Sequence, residues 1–216
     1  MKSSSLDLKI GVVDYGVNNV GSVLNMLRRL ELDVVAVRNP NELEQVSAIV
    51  LPGIGAYDAG VDSLARTGLA DAIRSKVLEQ RAPILGICLG MQLLAHGSEE
   101  GQKSGLGLVD ATCKRLSSGD SNTTLRVPHM GWNDVETNDE ELFDGLVEPR
   151  FYFVHSYHVI CANSSASIAR CNYGGPFTAA LRQGQIVGVQ FHPEKSHRFG
   201  MRLLSNWARL AERGLR

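Results

Sequence analysis

The stretch Pro83-Ile84-Leu85-Gly86-Ile87-Cys88-Leu89-Gly90-Met91-Gln92 carries one sulfur nucleophile between two glycines. Its apolar opening, bounded by Pro83, reads as a buried strand, and Met91-Gln92-Leu93-Leu94-Ala95 reads as a helix. Gly-x-Cys-x-Gly at a strand-to-helix junction is a nucleophile elbow with sulfur in place of oxygen. Such a bend strains its central residue, and side chains two residues to either side would collide. Cys88 is therefore expected at the tip of the turn, at a helix N-terminus, which favours negative charge and so thiolate. A buried core cysteine beside two packing glycines fits the same letters, so the decision rests on what else the chain carries.

Gly188-Val189-Gln190-Phe191-His192-Pro193-Glu194 supplies a partner. His192 follows an apolar run and falls at a strand end, and Pro193 biases it toward extended geometry. Residues two apart in an extended chain share a side, so Glu194 can accept a hydrogen bond from the His192 ring. That carboxylate would fix the tautomer and stabilise the imidazolium. Cys88, His192 and Glu194 are thus nucleophile, base and orienter in chain order. Of the six histidines, His155 is the reserve base, and His96 and His197 read as surface or helix-end residues.

Acyl transfer through a thiol needs donors aimed at the developing oxyanion. In an elbow, one is the N–H after the nucleophile, here Leu89, and the second comes from a neighbouring strand-to-helix loop. Pro52-Gly53-Ile54-Gly55 fits that loop, and its glycines leave the Ile54 peptide free to rotate; Gly53 and Ile54 are the expected donors. No G-x-x-x-x-G-K phosphate cradle is present, and Gly16 to Gly21 lacks the second glycine of a dinucleotide fingerprint.

The elements that must position these residues alternate. Strands are expected at Leu8–Val13, Val34–Val37, Ala48–Leu51 and Ile84–Cys88, and helices at Ser22–Leu32, Tyr57–Thr67 and Leu69–Gln80. This is an α/β pattern: a mostly parallel central sheet with helices on both faces and active residues at the carboxyl ends of its strands. After Gly105 the texture turns β-like at Leu106–Arg115, Arg126–Val135 and Phe151–Ile160, which predicts a mixed or antiparallel extension of the sheet. Phe177–Leu181 and Ile186–Phe191 read as a hairpin, and a helix over His197–Arg213 would bury Phe199, Leu203, Leu204, Trp207 and Leu210. Residues 8–216 are expected to form one domain behind a flexible tail of residues 1–7, and Ser117–Thr124 and Asn163–Ala166 read as exposed loops.

A net charge of −1 over 216 residues gives no support for nucleic-acid or anionic-membrane binding, and no apolar run is long enough to span a bilayer. Four scattered cysteines without C-x-x-C spacing argue against a zinc site or a disulfide framework and for a reduced, cytoplasmic compartment. No metal or cofactor is expected.

Gly86-Ile87-Cys88-Leu89-Gly90-Met91-Gln92 together with Phe191-His192-Pro193-Glu194-Lys195-Ser196 resembles the class I glutamine amidotransferases. Three further segments are similar to the glutaminase-subunit family of imidazole glycerol phosphate synthase, the HisH family. They are Asp14-Tyr15-Gly16, Pro128-His129-Met130-Gly131-Trp132-Asn133 and Tyr152-Phe153-Val154-His155-Ser156-Tyr157. The resemblance implies hydrolysis of L-glutamine through a glutamyl thioester, with Cys88 attacking the amide and His192 protonating the departing ammonia. It implies that Gly53, Gln92 and Glu100 hold glutamine, with backbone near Ser156 and Tyr157. It also implies a heterodimer with a (β/α)8-barrel cyclase subunit that receives ammonia through a channel and makes imidazole glycerol phosphate and AICAR in histidine biosynthesis. Asn19, Met130, Trp132, Tyr157 and Lys195 would lie near that contact, although Met130 and Trp132 also read as ordinary core residues.

Two segments depart from the family. Asn18 stands where the family has Gly, and His197-Arg198-Phe199-Gly200-Met201 is closer to a paralogous branch that feeds an amidotransferase of surface-polysaccharide sugar synthesis. The acceptor stays open between these two pathways. A stand-alone cysteine hydrolase is a further alternative.

Overall fold

The computed structural model describes residues 8–16, 19–117 and 125–215. The expected tail, Asn18 and most of the Ser117–Thr124 loop lie outside them. In chain order the elements are β1 (Lys9–Val13), α1 (Val20–Arg29), β2 (Asp33–Val37), α2 (Pro40–Glu44), β3 (Ala48–Gly53), α3 (Tyr57–Arg66) and α4 (Leu69–Leu78). Then come β4 (Ile84–Cys88), α5 (Leu89–Leu93), β5 (Ala111–Arg115), β6 (His129–Asp134), β7 (Glu136–Thr137), β8 (Arg150–His155) and β9 (Tyr157–Cys161). β10 (Ser167–Asn172), β11 (Pro176–Gln183), β12 (Ile186–Val189) and α6 (His197–Gly214) close the chain.

Eight strands form one sheet in the order β2-β1-β3-β4-β12-β11-β10-β7. β2, β1, β3, β4 and β12 run parallel, and β11, β10 and β7 add antiparallel strands beyond β12. β4 and β12 are neighbours in register Gly86↔Gly188 and Ile87↔Val189, which brings the elbow and the segment leading to His192 side by side.

Alternation along the parallel strands sorts side chains into two cores. Val50, Leu85 and Ile87 join Leu24 and Leu27 of α1 and Leu203, Leu204 and Trp207 of α6 on one face. Ile49, Leu51 and Ile84 join Leu64, Ile73, Val77 and Leu93 on the other. Each fully buried Leu or Ile contributes about 1.5–3 kcal/mol of hydrophobic stabilisation, and both faces draw on it. On α6, Leu203, Leu204 and Trp207 are buried as expected, together with Gly200, Ala208 and Ala211; Phe199 and Leu210 are half-buried.

The second half of the chain differs from expectation. The expected antiparallel extension of the sheet is made by β11, β10 and β7, whereas β5–β9 and β6–β8 form two separate antiparallel ladders. The single β-like stretch Phe151–Ile160 breaks at Ser156, whose carbonyl accepts a hydrogen bond from Leu116 N at 2.8 Å. Pairing switches there from β6 to β5. The break matters for chemistry, because β8 and β9 wrap its corner around the carboxyl end of β4. No described helix is long and apolar enough to cross a membrane.

Candidate active site

Cys88 ends β4 and precedes α5 with φ 54° and ψ −111°. A positive φ at a non-glycine residue is strained by about 1–3 kcal/mol and persists only where the surroundings enforce it. Here they do. A Cβ on Gly90 would lie 1.7 Å from the Leu51 carbonyl oxygen, and one on Gly86 would lie 2.8 Å from the Gly90 backbone. Both glycines are required because α5 starts directly against β3 and β4. The helix spans Leu89–Leu93 and starts two residues before the expected Met91, at the residue after the nucleophile.

His192 is held from several sides. Its N–H donates to Tyr152 O of β8 at 2.9 Å, and its carbonyl accepts from the buried Ser196 hydroxyl at 2.6 Å. Ser196 Oγ in turn accepts from Tyr152 N at 3.0 Å. Glu194 meets the ring as expected, Nδ1 to Oε1 2.7 Å, with side chains 1% and 3% exposed. The backbone route differs from the expected strand: His192 is extended, but Pro193–Lys195 form a 3-10 turn. A carboxylate accepts, so the Nδ1 proton points at Glu194 and Nε2 is the working nitrogen; it is buried and has no hydrogen-bond partner among the described residues. Burial disfavours the imidazolium, but the Cys88 sulfur and Glu194 outweigh it and push the His192 pKa up to about 9.

Cys88, Leu89 and His192 line one cavity of about 240 Å³ with Ile54, Gly55 and Gln92. Pockets for drug-sized ligands begin near ~300 Å³, so this one suits a small substrate. Within it the Cys88 thiol donates to Val154 O of β8 at 3.8 Å, and Gln190 Nε2 approaches the sulfur at 3.8 Å. Cys113 and Cys171 are different: burial pushes both thiols up to about 12, which keeps them protonated and unreactive at neutral pH.

Of the expected oxyanion donors, Leu89 and Ile54 line the cavity, and Gly55 beside Ile54 has φ +89°. Gly53 does not line it. Gly53 pairs with Cys88 across β3 and β4, and a Cβ on it would lie 2.5 Å from the Tyr15 hydroxyl and 2.9 Å from Gly90 N. Its smallness lets the strands close beneath the elbow.

Gln92, Glu100, Ser156 and Tyr157 also line the cavity. Gln92 Nε2 donates to Tyr157 O at 3.0 Å and to Gln190 Oε1 at 3.1 Å. The Glu100 carboxylate accepts from Tyr57 N at 3.1 Å. Burial raises the Glu100 pKa, the Tyr57 bond opposes that rise, and Asp58 adds to it. The carbonyls of Ser156 and Tyr157 are already engaged, by Leu116 N in one case and by Gln92 and His155 in the other.

His155 lies in the cavity wall, but both ring nitrogens are occupied, by Tyr157 O at 2.9 Å and His129 at 3.0 Å, so it has none free to serve as base. Met130 and Trp132 are 62% and 41% exposed, which excludes the alternative reading of them as core residues. They alternate along β6 with inward-facing His129 and Asn133. Trp132 stacks on His197 with ring centroids 5.7 Å apart, and Lys195 Nζ sits 5.7 Å over the Tyr152 ring. Asn19 is exposed at the start of α1, where its Oδ1 accepts from the Ser22 hydroxyl at 3.1 Å.

Sequence reasoning missed Gln190 and Ser196. Gln190 lies two residues before His192, the same alternation that flagged Glu194 on the other side. Among the described residues no three His, Cys, Asp or Glu side chains gather to hold a metal ion.

Residues 11–210 match the protein family described as Glutamine amidotransferase class-I. The chain is 42% identical over 204 residues to "Imidazole glycerol phosphate synthase subunit HisH 2" of Methanococcus maripaludis, which covers 94% of this chain and 100% of the relative. It is 44% identical over 203 residues to the protein of the same name from Pseudomonas aeruginosa, covering 93% and 99%. A solved structure described as a glutamine amidotransferase matches with a TM-score of 0.72 over 94% of this chain and 98% of that one; at 23% identity this concerns the fold.

Proposed function

The chain belongs to the class-I glutamine amidotransferase family, and on that premise we propose that it is the glutaminase subunit of an imidazole glycerol phosphate synthase. The observation that carries this is Cys88 at a strained elbow, in one cavity with a His192 ring whose far side is held by Glu194. Residues 8–216 act as one domain, in the cytoplasm, without a metal or cofactor.

In the reaction, Cys88 gives its thiol proton to His192 Nε2, and the Sγ attacks the side-chain carbonyl carbon of glutamine. The Leu89 N–H and the Ile54 peptide stabilise the oxyanion, as donors aimed at the developing charge. The C–N bond breaks as His192 gives its Nε2 proton to the leaving nitrogen, releasing ammonia and leaving a glutamyl thioester. Water then attacks the thioester, His192 takes its proton, and glutamate leaves with the thiol restored. Glu100 at the cavity wall faces the substrate ammonium, and Gln92 with the backbone near Ser156 and Tyr157 shapes the rest of the site.

Ammonia in neutral water is mostly protonated and no longer a nucleophile, so a partner must receive it directly. The (β/α)8-barrel synthase subunit docks on the face that exposes Met130 and Trp132, with Asn19, Tyr157 and Lys195 near the contact. Gly53 and Gly55 let the Ile54 peptide rotate into the oxyanion position when the loaded partner binds. One observation favours the surface-sugar partner instead: His197, in the segment that departs from the family, stacks on Trp132 at this face.

The test is glutamate release by the chain alone, with the histidine-pathway synthase and with the surface-sugar amidotransferase, each with its acceptor. Strong stimulation by the histidine-pathway synthase supports the assignment, and stimulation by the other alone transfers it to that pathway. Equal turnover without any partner, or partner-free peptide cleavage, contradicts it.

A further inference from the structure

Behind the cavity wall runs a chain of hydrogen bonds that the reaction above does not use. Tyr157 O can only accept, so His155 Nδ1, at 2.9 Å, must donate. A neutral imidazole has one donor and one acceptor, so His155 Nε2 accepts, and His129 Nδ1, at 3.0 Å, must donate to it. That leaves His129 Nε2 as an acceptor facing Asn133 Nδ2 at 3.4 Å. The Asn133 amide is fixed at both ends: Nδ2 also donates to Asn172 O at 3.1 Å, and Oδ1 accepts from Asp134 N at 2.9 Å. A second proton on either ring would point a donor at a donor somewhere along this chain. Burial agrees, since it pushes His155 down to about 3 and His129 down to about 4. Stacking between Phe153 and Tyr173, at 4.8 and 4.0 Å, fixes the plane of the His129 ring.

We propose that His129 and His155 are a positioning pair, each with its single ring proton on Nδ1, that holds the Tyr157 carbonyl and through it Gln92 in place for glutamine. Tyr157 O is the shared acceptor of His155 Nδ1 and Gln92 Nε2, and Gln92 Nε2 also reaches Gln190, whose own amide touches the Cys88 sulfur. Three hydrogen bonds in series thus tie an outer strand, β6, to the floor of the cavity. Neither histidine is a catalytic residue in this scheme. The kinetic part rests on the glutaminase assignment, and the tautomer part does not.

Two measurements on the full chain decide it. Nitrogen NMR of isotope-labelled histidine side chains should show both His129 and His155 protonated at Nδ1 alone near neutral pH. In the complex with its synthase, His129→Leu should raise the KM for glutamine about tenfold with kcat changed less than about threefold, as expected for lost ground-state positioning. His129→Asn, whose amide nitrogen replaces the ring Nδ1, should return KM to within about twofold of wild type. A folded His129→Leu complex with lowered kcat at unchanged KM overturns the proposal. So does a proton on Nε2 of either ring. If His129→Leu does not fold, the wild-type tautomers still decide. A wild-type complex that releases no glutamate would sink the glutaminase assignment while leaving the tautomer result to stand or fall separately.

Discussion

Gln190 Nε2 lies 3.8 Å from Cys88 Sγ while Gln190 Oε1 accepts from Gln92, so one buried amide touches both the nucleophile and the cavity floor. Its side chain is fully buried, and any apolar replacement leaves Gln92 Nε2 with one acceptor instead of two. Gln190→Leu should therefore lower glutamine turnover about tenfold and stability by about 1–3 kcal/mol. Steady-state glutaminase assays and thermal unfolding check the two effects separately.

The elbow sets a sharper steric condition. Gly90→Ala would place a Cβ 1.7 Å from the Leu51 carbonyl, an overlap only backbone movement can relieve. It should destabilise the chain by more than about 4 kcal/mol or prevent folding. Gly21→Ala is the control: it is the second residue of α1, and among the described residues nothing lies within 4 Å of the added methyl, so it should stabilise by less than about 1 kcal/mol. Thermal unfolding of both variants tests the contrast.

The raised His192 pKa fixes the sense of a pH profile. Below about 9 the imidazolium is present and can protonate the leaving nitrogen; above it the proton is gone. The kcat/KM of the complex should therefore fall as pH rises through about 9. Glu194→Gln removes one of the groups that raise this pKa, so its alkaline limb should move down by about one unit. A profile flat to higher pH in wild type, or unmoved in the variant, contradicts the assignment of His192 as the acid.

Acid stability should follow the other histidines. His155 and His129, held down to about 3 and about 4, stay neutral in the fold while the unfolded chain protonates from near pH 6.5. The unfolded state then binds more protons, so stability present above pH ~6.5 is lost as pH falls toward the folded values. His155→Asn should flatten the fall in denaturation midpoint between about pH 6.5 and about pH 4, because each pKa unit corresponds to about 1.4 kcal/mol. An unchanged slope in that variant contradicts the burial of a neutral His155.

The parts legible in the sequence are those where local sterics leave one solution. Gly86, Cys88 and Gly90 announce the elbow because side chains at the flanking positions collide with backbone. His192 and Glu194 are legible from their spacing, even though a 3-10 turn, not a strand, joins them. α2 was missed although its signal is local: Asn39 caps Glu42 N at 3.0 Å and Pro40 opens the helix. Other features depend on distant partners. One residue, Ser156, divides β8 from β9 because Leu116 binds its carbonyl, and no turn signal marks it. The Asn133–His129–His155–Tyr157 chain needs the β6–β8 register His129↔His155, which no sequence spacing reveals.

The central claim is that Cys88 carries the glutamyl group. The complex with its synthase, fed isotope-labelled glutamine and quenched in acid during turnover, should yield a peptide containing Cys88 that has gained glutamine less ammonia. Cys88→Ala should release no glutamate. Undiminished glutamate release by Cys88→Ala, or label on another residue, would contradict the account.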